Sequence, residues 1–342
     1  MPSRRKTRRT WPVLLLLLAG AAAGAYFVLR PPELKPAPLA NVPANASAVL
    51  HVDVPALRDG TIWRRLVVGR GADAGLRRLE DRCGFDPVGD LETVTVFVSG
   101  DEPFALDHVA AVIAGPVQHE KLGECLGDAA EQTGARLRRT DVEGLPAVAG
   151  ERGDSRAVFV GRRGIVFGPE PTVVQTIHTI RDGEASADAG ALGLIFRDVA
   201  GRDVTFAARV PPQWREQAAR YVDSRAMETL AKLDTIAIGA RVRRGLSASI
   251  RLVMQDNESA AALAARVTEL VQGVLDAPLV GFTPLAGALR QVSVTAEGTT
   301  VLVAFDWSEE RVSRLLDLAG EIEDRPGGIS AALQELLAAP QE

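Results

Sequence analysis

The chain has 342 residues, 46% of them hydrophobic, which is ample for a core and too apolar for global disorder. Its formal net charge of −5 hides an asymmetry: Arg4, Arg5, Lys6, Arg8, Arg9 and Arg30 precede residue 31, and the remainder holds 33 basic against 44 acidic residues, a net of −11. A surface of that sign does not attract phosphates at long range, which argues against nucleic-acid binding and against docking on anionic lipid by charge.

Residues 1–10 form a basic segment, and residues 11–29 (WPVLLLLLAGAAAGAYFVL) carry no charge. A helix needs about 20 such residues to cross roughly 30 Å of hydrocarbon. Five basic residues before the run and one after it place the N-terminus in the cytoplasm by the positive-inside rule and export the rest. Trp11 and Tyr26 stand near its ends, where amphipathic rings prefer the interface. A retained single-pass anchor is the expectation. The alternatives are a cleaved signal peptide, with Ala21, Ala23 and Ala25 as small-residue sites, and a buried core helix. The continuation through Tyr26, Phe27, Val28 and Leu29 is long for a signal sequence. Lysine is scarce, at Lys6, Lys35, Lys121 and Lys232, while Arg, Ala, Gly and Pro abound. Those residues use GC-rich codons and point to a bacterium, whose inner membrane would hold the anchor and whose periplasm would hold the rest.

Residues 30–45 are rich in proline, which favours extended backbone over a packed element and predicts a stalk reaching about 45 Å. The folded part then opens at Ala46. Ala48–Val54 alternates as a strand, with Val49, His51 and Asp53 on one face and Leu50, Val52 and Val54 on the other. Helices follow through Leu57–Leu66 and residues 74–82. Leu91–Val98 and His108–Ala114 read as a hairpin, and a helix begins at Pro116. Val142–Ala149, Ala157–Gly161 and Ile165–Phe167 read as short strands. A helix from Pro169 buries Val173, Val174, Ile177 and Ile180, and Glu184–Gly190 reads as a linker.

The second half repeats the plan. Val204–Val210 closes on Pro211-Pro212 as Val49–Val54 closes on Pro55. Helices through Trp214, Val222 and Leu230 lead to Leu233–Ala240, similar in residue type to Leu91–Val98. Leu246–Met254 is its hairpin partner, and a long helix carries Leu263, Val267, Leu270 and Val274 on one face. A last hairpin turns at Glu297-Gly298, and Ser308 caps the next helix. The expectation is an α+β fold of two tandem lobes, 46–185 and 186–325, with largely antiparallel sheets and helices on one face. Residues 326–342 carry a short amphipathic tail helix.

A single anchor, a proline-rich strip and an opening such as Ala46-Ser-Ala-Val-Leu-His-Val-Asp53 resemble a class of uncharacterised bacterial exported proteins built from duplicated α+β halves. The resemblance implies no activity and no catalytic residues.

Chemistry-bearing motifs are sparse. His51, His108, His119 and His178 form no zinc-binding spacing, and no C-x-x-C, nucleophile elbow or phosphate-binding loop occurs. His51 and Asp53 share a strand face and are the one conceivable base–orienter pair, with a polar strand face as the plainer reading. The pairs Arg138-Arg139, Arg162-Arg163 and Arg243-Arg244 would bind an anion if they converged. Cys83 and Cys125 are a possible disulfide in an oxidising compartment, closing a loop of about 40 residues. Neither spacing nor flanks specify it, and two buried free thiols are the alternative. No catalytic residue, cofactor or metal ligand is assigned. The reading is a membrane-tethered, non-enzymatic module binding an envelope partner. A carrier for a lipid or other hydrophobic ligand is the first alternative, and an enzyme with a dispersed site the second.

Overall fold

The computed structural model describes residues 32–68, 88–100, 108–116, 119–132, 136–151, 153–212, 231–277 and 280–323, with single residues 77, 80, 81, 83, 84 and 86. The expected anchor at 11–29, the tail helix at 326–342 and the helical stretch at 214–230 lie outside the described residues, as does most of 74–82. No helix among the described residues is long and apolar enough to cross a membrane.

One antiparallel sheet dominates the molecule. Its twelve described strands are β1 (Ala46–Asp53), β2 (Thr93–Ser99), β3 (Val109–Ala114), β4 (Leu137–Val142), β5 (Leu145–Gly150), β6 (Ser155–Val160), β7 (Gly164–Pro169), β8 (Val204–Arg209), β9 (Leu233–Arg241), β10 (Leu246–Met254), β11 (Ser293–Glu297) and β12 (Thr300–Trp307). In space the order is β11-β12-β10-β9-β8-β1-β2-β3-β7-β6-β5-β4. Short hairpins make the local pairs. The long-range pair β1–β8, with Leu50 opposite Phe206, joins the halves. On either side of this seam three strands pair in sequence and are followed by a hairpin, β6–β7 on one side and β12–β11 on the other; β4–β5 is an addition to the first half.

The α-helices bounded within the described residues are α1 (Val54–Asp59), α2 (Thr61–Trp63, continuing as a wider turn to Val68), α3 (His119–Gln132), α4 (Glu170–Arg181), α5 (Ala191–Val199), α6 (Asn257–Asp276), α7 (Pro284–Leu289) and α8 (Glu309–Glu323). Asp53 ends β1 and caps α1, accepting from Ala56 N at 2.8 Å. Asp256 caps α6 in the same way, and the backbone bond from Ser259 holds its carboxyl down to about 2.

The main core lies between one sheet face and helices α4 and α5. Val49, Phe97, Val112, Val158, Val166, Val173, Ile177 and Phe196 are buried there. Each such side chain contributes roughly 1.5–3 kcal/mol when removed from water. The same cluster contains Ala187, Leu192 and Ala207, which lie beyond the expected lobe boundary at residue 186. The halves therefore share a sheet and a core.

Three expectations are corrected. Residues 34–44 are packed onto the body where a free stalk was expected: Pro38–Asn41 forms a 3-10 turn and buries Leu39 and Val42. The Asn41 side chain exchanges bonds of 2.8 Å with both backbone groups of Lys35, and Lys35 Nζ donates to Thr179 O at 2.9 Å. Apolar anchors between the prolines decided the outcome over the prolines themselves. The strand expected at 142–149 is a hairpin, because Glu143 (φ 55) and Gly144 (φ 73) make a tight turn with both central residues in the left-handed region. Lastly, helices lie on both faces of the sheet where one face was expected: α4 and α5 pack on one, and α3 and α6 pack on the other, because the strands are apolar on both sides.

Candidate functional site

Because residues in register on neighbouring strands project to the same side, pairing defines a face. Starting at β11, the residues directly opposite one another are Val294, Val303, Ile250, Ile238, Phe206, Leu50, Val96, Ala111, Phe167, Ala157 and Val148. Eleven strands thus place an apolar residue in a single row, and only β4 breaks it, with Arg139. This face is the one opposite α4 and α5.

Among the described residues, helices cover the row only towards its ends. At one end α3 brings Leu122 against Val148, Phe159 and Ile165. The α3 helix is tied by the Cys83–Cys125 disulfide, with Cα atoms 5.0 Å apart, to the segment that precedes β2. At the other end α6 brings Ala260, Leu263, Ala264 and Val267 against Leu252, Val301 and Val303. Between them Leu50 is 36% exposed and Phe167 49% exposed, and Val96, Ala111, Phe206 and Ile238 are half-buried. Six strands from β9 to β7 span about 24 Å at the usual strand spacing. Groups of this kind offer no acid, base or nucleophile. They offer area for an apolar partner.

The polar residues singled out from sequence are dispersed. His51 projects to the covered face, where its Nδ1 meets Thr95 Oγ1 at 2.9 Å and its ring stands edge-on to Phe196. Burial pushes its pKa down, opposed by the charge of Asp53. Asp53 instead turns to Ala56 N and to Arg243, 3.5 Å away, so the two do different work. His178 lies on α4 with Nδ1 2.9 Å from Asp182, whose hydrogen bond raises its pKa. His108 precedes β3 and His119 begins α3. No three His, Cys, Asp or Glu side chains among the described residues are grouped to hold a metal.

The arginine pairs do not converge. Arg138-Arg139 lies on edge strand β4, Arg162-Arg163 in the β6–β7 turn, and Arg243-Arg244 between β9 and β10, about five strand spacings, or roughly 24 Å, from β7. Each group has acidic neighbours: Arg139 is 4.0 Å from Glu124, Arg163 pairs with Glu92, and Arg243 faces Asp53 and Asp203. A cleft of about 420 Å³ between α7 and α8 is lined by Arg290, Arg311 and Arg314 with Glu310, Ser308 and Thr283. It is polar, open and partly neutralised by the Arg314–Glu310 pair.

No family model matches the chain, and no curated protein matches it. Its structure is similar to the crystal structures of TP0453 of Treponema. Crystal form III aligns with a TM-score of 0.52 at 10% identity, covering 83% of this chain and 100% of that one. Form IV gives 0.49 at 11% identity, over 86% and 98% of the two chains. The likeness is one of fold. It places the chain among α+β proteins with a large antiparallel sheet and several helices, and carries no residue roles with it.

Proposed function

We propose that the protein is a membrane-tethered periplasmic binding module without enzymatic activity, and that it engages an envelope protein through the open apolar face of its sheet. The observation that carries this reading is the in-register row from Val294 to Val148, open at Leu50 and Phe167. The open stretch is about 24 Å across, and along β1 and β8 it is bounded by the paired Ala48 and Ala208, which lie on the same face two residues from Leu50 and Phe206 and are buried. Residues 11–29 supply the anchor in this reading, with the N-terminus in the cytoplasm. The matched strand order on either side of the β1–β8 seam supports an origin by tandem duplication.

A hydrophobic ligand lying along the same row is the second reading, favoured by the run of apolar residues that extends under α3 and α6. One experiment separates the two. A photoreactive amino acid replaces Phe167 in the full chain, and a control replaces Leu194, a 63% exposed residue on α5. Irradiation in cells followed by pull-down is expected to yield one envelope protein from position 167 and not from 194. Lipid adducts alone at 167 would transfer the assignment to the ligand reading. Equal protein adducts at both positions would sink both.

A further inference from the structure

We propose that the β6–β7 end of the sheet lies against the bilayer that holds the anchor; the inference rests on residues 11–29 remaining in the membrane. Two observations meet here. The first is contact: Pro32, Glu33 and Leu34 lie on the turn between β6 and β7. A Cβ on Gly161 would stand 3.1 Å from Pro32 O, and one on Gly164 would stand 2.8 Å from Leu34 Cδ1. Both glycines leave the room that the incoming chain occupies. The second is chain length. The uncharged run ends at Leu29, and four peptide steps of at most 3.8 Å separate Leu29 from Glu33. Glu33 is therefore held within about 15 Å of the end of the uncharged run, and the turn it touches within about 20 Å.

The expected free stalk would have let the body swing away by tens of ångströms. Packing of Leu39 and Val42 removes that freedom. The opposite end of the same hairpin, residues 153–154, then points away from the membrane, about 20 Å further along strands of six residues. Charge does not make this contact. Around the turn Arg162, Arg163 and Arg181 alternate with Glu92, Glu143 and Asp182, and Arg163–Glu92 and Arg181–Glu143 are already paired. The occupant of this surface is the lipid headgroup layer, brought there by the tether and indifferent to its net charge.

The test uses the full chain in lipid vesicles, once with phosphatidylcholine alone and once with added anionic lipid. A nitroxide is attached at Arg162→Cys or at Asp154→Cys; both side chains are exposed. Nickel chelated to a lipid headgroup is the relaxing probe. The expected result is loss of most of the signal amplitude at 162 and little loss at 154, the same in both lipid mixtures. Equal broadening at the two sites in membrane-bound protein overturns the orientation while leaving the anchor intact. Dependence of the difference on anionic lipid overturns the tether argument. Recovery of processed protein lacking residues 11–29 in the soluble fraction overturns the anchor and the proposal with it.

Discussion

The two faces of the sheet use the same strands and have opposite fates. On the first, Val49, Phe97, Val112 and Val166 are 3% exposed or less beneath α4 and α5. On the second, one residue away on each strand, Leu50, Val96, Ala111 and Phe167 lie in an equally apolar row that the described helices reach only at its ends. Hydrophobic alternation is weak where both faces are apolar, so what distinguishes core from surface here is helix placement and not side-chain type. A polar-out second face would have been the default for a sheet with one covered side. Its absence is the reason to assign that face a binding role.

The comparison breaks first at the covered face. Phe97→Ala removes a fully buried ring and is expected to destabilise by about 3–5 kcal/mol, read as a fall in the denaturation midpoint. Loss of well under half that amount would mean that the covered face is not the principal core. The helix at one end of the open row comes next. Cys83→Ser with Cys125→Ser releases the 42-residue loop that holds α3 and is expected to cost about 3–4 kcal/mol in the loop-entropy model, with protease cleavage increasing near α3. Unchanged protection would show that packing of Leu122 suffices. The open face should respond least in stability. Phe167→Ser is expected to change it by less than about 1 kcal/mol while abolishing partner capture. A large loss of stability would show the site to be core after all.

The smallest effects are electrostatic and of opposite sign. Burial lowers the pKa of His51, so the unfolded chain binds more protons below its ordinary value of 6.5. Its contribution is present above pH 6.5 and is lost as pH falls towards the folded value. His178 is raised by its bond to Asp182; its contribution is present below 6.5 and is lost as pH rises through the folded value. Between about pH 7.5 and 5.5, His51→Gln should flatten the acid-side loss of thermal stability, and His178→Gln should steepen it. Matching slopes in the two variants would refute the assignment of His51 to the covered face.

Local features were legible in the sequence and non-local ones were not. Alternation in Ala48–Asp53 gave the two faces of β1, the spacing of Leu263 and Val267 gave α6, and the breaks at Pro55 and Gly183 ended their elements. The α5 helix was readable too, since Leu192, Phe196 and Val199 keep helical spacing, but nine residues directly after the linker-like Glu184–Gly190 give only two turns of that signal. The Glu143-Gly144 turn was overridden by the apolar residues flanking it. Burial of Leu39 and Val42 depends on α4 and on residues 185–187, nearly 150 positions away, and no local rule reports that. The apolar row is the extreme case. Each strand supplies one member, and the row exists only through eleven strands in a register set by partners distant in sequence.

The β1–β8 seam also governs how the chain reaches its native state. Leu50 is synthesised about 150 residues before Phe206, its partner across the seam, so β1 spends that interval as an unprotected edge with an apolar row behind it. Closure of so long a loop is slow. Until it happens, the first half presents a template to any other extended segment. A nascent chain arrested before residue 204 should therefore aggregate or recruit a holdase, and one arrested after β8 has emerged should not. The seam that unites the halves is thus also the point at which the molecule is most exposed to mispairing while it is being made.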